Sequence, residues 1–312
     1  MKKIDSQPLT GHLAMLFANI TWGIMAPVSK YVTSLESVSA LAVTGFRIFG
    51  ACILFWIASI FIKKEDVPRK DKLKFALASL LAVVFNQGSF VCGVSLTSPI
   101  NASVITTTLP IITMILSAII IKEPITSKKV AGVIAGITGA LILVMDSSTV
   151  STGNSNLWGD LLCLSAQVSF AFYVVLFKDL VGKYSPVTIM KWMFLWASLI
   201  FGPVLIPFMN DVEYSTLPSN AWFGLGHIVI LGTFVAYFMI PIGQHRLRPT
   251  IVVMYNYVQP IVSTIVSLVV GLSTFSLLKG LATFLVFTGV WIVTQSKSRA
   301  DVLKEQESKN IK

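Results

Sequence analysis

The feature of this sequence that most constrains its fold is a run without charge: residues 75–121 contain no Asp, Glu, Lys or Arg. A helix that crosses the roughly 30 Å hydrocarbon core of a bilayer needs about 20 mostly apolar residues. The run is too long for one crossing and fits two that are joined by a tight turn at residues 96–99. Only 12% of the chain is charged, about half the fraction typical of soluble domains. The sequence therefore predicts a polytopic membrane protein.

Proline, glycine and charged residues divide the rest of the chain into further windows of this kind. Together they predict an all-α fold with ten transmembrane helices. The predicted spans are 12–29, 39–62, 75–94, 100–121, 130–145, 157–177, 187–208, 221–241, 250–272 and 277–294. The three cysteines all fall inside predicted spans, where they behave as small apolar residues and imply neither a disulfide framework nor a metal site.

The distribution of basic residues predicts the orientation of these spans. With the N-terminus inside, 20 of the 24 Lys and Arg residues fall on the cytoplasmic side, where basic residues are retained. Both termini are therefore predicted to be cytoplasmic, in a cell membrane of the bacterial plasma or inner membrane type. The net charge of +10 then reflects topology and attraction to anionic lipid, and it requires no nucleic-acid partner.

An internal repeat appears when the sequence is shifted by about 150 residues. Pro110 then falls on Pro260, and Gly139 falls on Gly289. Because each half has five spans, an odd number, the second half begins on the opposite side of the membrane and the repeat is inverted. Inverted repeats are characteristic of secondary transporters, which hold their substrate near the bilayer midplane.

These boundaries predict three parts of the chain. A first five-helix repeat covers residues 1–146, a second, inverted repeat covers residues 147–296, and a charged cytoplasmic tail covers residues 297–312.

The order of motifs resembles that of the EamA-type members of the drug/metabolite transporter superfamily over nearly the whole chain. The motifs are Thr21-Trp22-Gly23 with Pro27 and Lys30, then Arg47, residues 93–102, Leu109-Pro110, residues 122–126, and Gly132, Gly136, Gly139 and Ala140. The resemblance implies a ten-helix, inverted-repeat fold with a central cavity, and the transport of metabolites such as amino acids. Ser273 stands where the repeat would place a partner for Glu123, so a role that needs two glutamates does not carry over.

Polar and aromatic side chains inside the predicted spans are the candidates for substrate contact, because pockets for small molecules combine a few polar groups with aromatic walls. The candidates are Asn19, Trp22, Arg47, Gln87, Asn101, Thr108, Gln167, Tyr173, Tyr255, Asn256 and Gln259. Each also has a structural reading: Arg47 could clamp two helices, Trp22 could anchor an interface, and the others could serve as packing contacts between helices.

Three of these candidates form a stripe. At the spacing of a continuous helix, Tyr255, Asn256 and Gln259 share one face just before Pro260. Proline inside a helix frees backbone carbonyls, which are tolerated where they line a cavity. His227 is a candidate site of proton coupling, and a neutral, hydrogen-bonded histidine is the alternative.

The sequence favours transport over catalysis. It contains no HExxH pair, nucleophile elbow or phosphate-binding loop, and we expect no cofactor, no metal and no enzymatic activity. We expect a secondary active exporter of small polar metabolites such as amino acids, working as a monomer or homodimer in the lipid bilayer. The alternatives are a multidrug or nucleotide-sugar carrier, a lipid flippase, and a receptor of the same fold that does not transport.

Overall fold

The computed structural model describes residues 7–35, 38–96, 105–146, 157–269 and 277–297, together with residue 302. These residues form helices joined by short turns, and they contain no strand. The helices are α1 (Gln7–Thr33), α2 (Ala40–Ala58), α3 (Arg69–Ser79), α4 (Asn86–Leu96), α5 (Leu109–Ile120), α6 (Ser127–Asp146), α7 (Leu157–Leu176), α8 (Lys178–Val181), α9 (Pro186–Asn210), α10 (Ser219–Val229), α11 (Ala236–Arg246), α12 (Pro249–Met254), α13 (Val258–Val269) and α14 (Leu277–Thr294).

Six continuous helical runs in the described part of the chain are long and apolar enough to cross a membrane. They are Ala40–Ala58, Arg69–Gly93, Leu157–Leu176, Pro186–Asn210, Ser219–Arg246 and Leu277–Thr294. Each coincides with a predicted span, which confirms a helical, multi-pass architecture. The full number of ten crossings and the orientation stay predictions.

Two of the long runs contain a π-helical turn in the middle. The turn Leu80–Phe85 joins α3 to α4, and the turn Ile230–Val235 joins α10 to α11. The second lies 150 residues after the first, the same shift that aligns Pro110 with Pro260. The repeat seen in the sequence therefore extends to a rare backbone conformation.

Within the predicted span at residues 250–272, the described residues up to 269 are helical but not uniformly α-helical. A 3-10 turn at Tyr255–Tyr257 separates α12 from α13, and a turn at residues 107–108 precedes α5 in the first half. The physical reason is the proline that follows each break, Pro260 or Pro110: it has no N–H to donate to the carbonyl four residues earlier, and its ring crowds that carbonyl. The stripe of polar residues predicted before Pro260 is interrupted for the same reason.

The two halves run in opposite directions, as the packing of α6 on α14 demonstrates. A Cβ atom on Gly132 would lie 2.7 Å from the carbonyl oxygen of Gly289, and one on Gly139 would lie 2.5 Å from that of Ala282. Under the 150-residue shift Gly132 corresponds to Ala282 and Gly139 to Gly289. Each helix thus meets its own equivalent in antiparallel fashion, with reciprocal contacts of the kind that a twofold axis generates.

The larger hydrophobic core lies where the halves meet. Its most enclosed side chains include Phe55, Tyr173, Phe194, Met254 and Tyr257. Tyr257 donates a hydrogen bond to the carbonyl of Thr107, its equivalent 150 residues earlier, at 2.9 Å. Two equivalent residues can touch only beside the twofold axis, so this contact marks the axis within the core.

The close approach of α6 and α14 gives a first prediction. Gly139→Ala places a methyl group against the backbone carbonyl of Ala282, so we expect it to lower the free energy of unfolding by about 1–3 kcal/mol, as overpacking does. Thermal denaturation of the purified protein in detergent measures the change. Gly226→Ala is the matched control, because nothing lies within 4 Å of a Cβ at Gly226. Equal midpoints for the two variants would contradict the close approach.

Candidate functional site

The π-helical turns leave backbone carbonyls without their usual helical partners, and side chains from the opposite half satisfy them. Trp22 of α1 donates its indole N–H to the carbonyl of Gly232 at 2.9 Å. Ser169 of α7 donates its hydroxyl to the carbonyl of Leu81 at 2.8 Å. Since α1 and α7 are equivalent helices, each half completes the irregular turn of the other.

Tyr237 is the point where the candidate residues of several helices meet. Its hydroxyl accepts a hydrogen bond from Nε2 of Gln87 at 3.0 Å. Its ring meets the Trp22 ring edge-on at 5.7 Å and the Phe194 ring at 5.1 Å. Tyr237 is absent from the residues predicted from the sequence, although a signal was available: the 150-residue shift places Tyr237 on Gln87.

Arg47 lies at the second π-helical turn. Its Nε donates to Oγ1 of Thr233 at 3.0 Å, and the Thr233 hydroxyl in turn donates to the carbonyl of Ile228 at 2.8 Å. The Arg47 side chain is half-buried. Within the described ranges, no carboxylate lies at ion-pair distance from this guanidinium, and its two terminal nitrogens make no hydrogen bond.

Asn19 and Gln259 join the two halves one helical turn away from Trp22. Nε2 of Gln259 donates to Oδ1 of Asn19 at 2.8 Å, and Nδ2 of Asn19 donates to the carbonyl of Met15 at 2.8 Å. Asn19 is fully buried. Asn19, Trp22, Arg47, Gln87 and Gln259 therefore gather around the Tyr237 junction as the candidate site.

Two further candidates form a separate polar layer. The Tyr173 hydroxyl donates to Oε1 of Gln244 at 3.2 Å, and Gln244 lies about two helical turns beyond Tyr237 on α11. The Tyr255 hydroxyl lies 2.7 Å from Nδ1 of His12, near the start of α1. Both tyrosines are buried. The Tyr255–His12 contact joins the two halves, whereas the Tyr173–Gln244 bond lies within the second half.

The remaining candidates are not joined to the Tyr237 junction. The Thr108 hydroxyl bonds within its own turn, to the carbonyl of Ile105. Gln167 and Asn256 make no hydrogen bond with other described residues. His227 is half-buried, and its Nε2 has no partner within the described ranges. Asn101 lies outside the described residues.

An ion cluster ties the halves together at the end where α1 begins. Oε1 of Glu123, which is buried, lies 3.0 Å from Nζ of Lys129 and 3.6 Å from Nη1 of Arg248. Arg248 also donates to the carbonyls of Ser296 and Lys297, at 2.8 and 2.9 Å. The cluster therefore connects the end of α5, the start of α6 and the end of α14.

Two loops add contacts between the halves at the same end. The Glu65 carboxylate accepts the backbone N–H of Ser185 at 3.1 Å and its hydroxyl at 2.8 Å. The Tyr184 hydroxyl donates to Oδ2 of Asp71 at 2.6 Å, and burial together with this contact raises the pKa of Tyr184 to about 12. In this conformation, polar contacts across the halves close this end of the bundle.

An apolar groove of 290 Å³ lies outside this polar cluster, between the end of α2, the start of α9 and the start of α11. Its lining consists of Ala58, Phe61, Ile62, Val187, Phe234, Val235 and Phe238. Since these side chains provide no hydrogen-bonding group, the groove does not fit a polar metabolite.

The chain is similar to transporters along most of its length. The sequence profile of the EamA-like transporter family matches residues 9–145 and again residues 157–295. A transporter of Archaeoglobus fulgidus is 30% identical over 70% of this chain and 73% of its own length. YyaM of Bacillus subtilis is 24% identical over 83% of this chain and 86% of the relative. YedA of the Escherichia coli inner membrane is 26% identical over 93% of this chain and 92% of its own length.

A known crystal structure has the same fold. It superimposes with a TM-score of 0.76 over 92% of this chain and 96% of the other, at 16% identity. The two family matches within one chain agree with the internal repeat, and the resemblance of the motifs to EamA-type proteins is confirmed.

The Glu65 contacts give a second prediction. Burial raises the pKa of Glu65, but hydrogen bonds from Thr188 and Ser185 lower it by more, so that it lies below the ordinary value of 4.5. Because the folded-state pKa is lowered, the stabilisation is present above pH 4.5 and is lost as the pH falls through the folded-state value. Denaturation midpoints between pH 7 and pH 3 should fall less steeply for Glu65→Gln than for the unmodified protein.

The neighbouring exposed carboxylate of Asp66 provides the control for this measurement. Asp66→Asn removes the same charge from the same loop without touching Ser185, and it should retain the steep pH dependence. If Glu65→Gln and Asp66→Asn gave the same pH profile, Glu65 would have no special part in closing this end.

Proposed function

The chain belongs to the EamA-like transporter family, and on that premise we propose that it is a secondary active transporter that exports small polar metabolites such as amino acids. The proposal includes alternating access around a central cavity at the Tyr237 junction. It also includes ten membrane crossings, a first repeat at residues 1–146, a second repeat at residues 147–296 and a cytoplasmic tail at residues 297–312.

The observation that carries the proposal is the Arg47 guanidinium. A charge inside a membrane protein is costly and normally pairs within the bundle or faces a water-filled cavity. Arg47 has one hydrogen bond, to Thr233, and no carboxylate at ion-pair distance in the described residues. Because guanidinium binds carboxylate and phosphate through two parallel hydrogen bonds, its free terminal nitrogens suit an anionic group of a substrate.

The surrounding residues narrow the class of substrate. Oε1 of Gln87 is buried without a hydrogen-bond partner in the described part of the chain, so it can accept from an ammonium or hydroxyl group. The Tyr237 hydroxyl already accepts from Gln87, and its own proton remains available for a carboxylate. Donors on one side and an acceptor on the other, beside the Trp22 ring, suit a small zwitterion with an apolar part.

Alternating access accounts for the contacts between the halves. The Glu123–Arg248 pair and the Tyr184–Asp71 hydrogen bond cross from one half to the other at the end where α1 begins. They would separate when that end opens. Helices broken at equivalent positions in the two halves, at residues 107–108 and 255–257, are the usual pointer to a transporter binding site.

Flux through reconstituted liposomes tests the substrate site. Arg47→Gln removes the charge and leaves a shorter polar side chain, and we expect it to reduce the uptake of a transported amino acid about tenfold or more. The reason is that a charged hydrogen bond contributes about 1.5–3 kcal/mol. A panel of radiolabelled amino acids and nucleobases, with and without a proton or sodium gradient, identifies the substrate first.

Arg246→Gln is the matched control, since Arg246 is exposed and, among the described residues, bonds only to the carbonyl of Ile242 in its own helix. It should leave the flux near that of the unmodified protein. Membrane insertion and the denaturation midpoint are compared for all variants, and Arg47→Lys separates the loss of charge from the loss of the guanidinium shape. Unchanged flux in Arg47→Gln would remove Arg47 from the site, and the absence of flux for every solute would contradict transport.

Reporter fusions test the orientation. With both termini cytoplasmic, as the Lys and Arg distribution favours, green fluorescent protein fused after Lys312 should fluoresce and alkaline phosphatase at the same point should be inactive. Fusion after residue 35, in the loop between α1 and α2, should give the reverse pattern. The opposite result at both points would overturn the proposed orientation.

A further inference from the structure

A cluster of two lysines and two tryptophans lies on the outer surface of the bundle, away from the Tyr237 junction. Nζ of Lys72 lies 4.6 Å from the centre of the Trp192 ring, and Nζ of Lys191 lies 5.2 Å from the centre of the Trp56 ring. The two indole rings meet edge-on at 5.8 Å. The four side chains come from α2, α3 and α9, so the tertiary fold assembles the cluster.

The cluster lies at one level of the membrane. Trp56 is two residues before the end of α2, Lys72 is three residues after the start of α3, and Lys191 is five residues after the start of α9. At about 1.5 Å per residue these positions fall within roughly 8 Å of the helix ends. This is the depth at which tryptophan and lysine meet the headgroups of a bilayer.

The cluster keeps an excess of positive charge: Glu65 attracts the Lys191 ammonium, but the ammonium groups of Lys64 and Lys72 repel it. Within the described residues, neither ammonium group has a carboxylate at ion-pair distance. The nearby Glu65 carboxylate already accepts hydrogen bonds from Ser185. The cluster therefore offers two ammonium groups to a ligand that supplies anionic oxygens.

The neighbouring surface is apolar. Ile53, Ile57 and Ile60 are 60%, 48% and 76% exposed. Ile53 stands one helical turn before Trp56 on the same face of α2, and Ile60 lies in the turn that follows the helix. The cationic cluster at the headgroup level is complementary to the phosphate of a phospholipid, and the apolar strip beside it is complementary to an acyl chain.

We propose that Lys72, Lys191, Trp56 and Trp192 form a binding site for the phosphate headgroup of one anionic phospholipid, whose acyl chain lies along Ile53 and Ile57. The ammonium groups contact the phosphate oxygens, and the indole rings hold the ammonium groups in place through their π faces. The site requires no transport activity and stands independently of the proposed function.

Native mass spectrometry of the purified protein tests the site with phosphatidylglycerol and phosphatidylcholine as probes. The unmodified protein should retain one phosphatidylglycerol in preference to phosphatidylcholine. The double variant Lys72→Gln with Lys191→Gln should bind phosphatidylglycerol about 20-fold more weakly, as each basic residue near anionic lipid contributes about fivefold. Lys70→Gln with Lys74→Gln is the control of equal charge, on the same helix as Lys72 but without a ring contact to Trp192 or Trp56.

Equal retention of phosphatidylglycerol by the double variant and the control would overturn the site. Release of the lipid by millimolar inorganic phosphate would assign the cluster to a free anion instead, and it would equally overturn the proposal. Trp56→Leu keeps both charges, and it should weaken binding less than the double variant does. If the double variant is unstable, the single variant Lys72→Gln compared with Lys70→Gln decides between these outcomes.

Discussion

The π-helical turns at Leu80–Phe85 and Ile230–Val235 place the strongest physical demand on this chain. In hydrocarbon every backbone carbonyl needs a partner from the protein, and a π-helical turn takes one such partner away. Trp22 and Ser169 supply the missing donors from the opposite half. The two halves are thereby held in register by hydrogen bonds that neither half could make alone, and the polar side chains near these turns have little freedom to face elsewhere.

The architecture was readable from the sequence, whereas the irregular backbone was not. Charge-free windows locate α2, α9 and α14 closely, because the absence of charge follows directly from the apolar solvent. The π-helical turns have no comparable signal, since Leu80–Phe85 reads as an ordinary apolar helix.

For the site, Trp22, Arg47 and Gln87 were identifiable as polar or aromatic groups in apolar windows. Their partners Thr233 and Tyr237 depend on which helices pack together, and the 3-10 turn at Tyr255–Tyr257 could not be read from the sequence.

The halves share a scaffold but carry different chemistry. Both have an N-capping serine three residues before the amide it binds, Ser39 for α2 and Ser185 for α9. When these caps are aligned, Arg47 falls on Met193, so the guanidinium belongs to one half alone. Because only one half carries this charge, the two halves differ electrostatically in the central region. The same asymmetry places the Glu123 ion cluster at only one of the two equivalent positions, since Ser273 takes the other.

Gln87 and Tyr237 are equivalent residues that touch each other across the axis, and their difference has a consequence for any ligand held between them. A perfectly symmetric centre would accept the same molecule in two orientations related by a half-turn, with equal energy. Replacing one member of the pair by an amide and the other by a phenol removes that degeneracy. A ligand held at this junction would then have one preferred orientation instead of two orientations of equal energy.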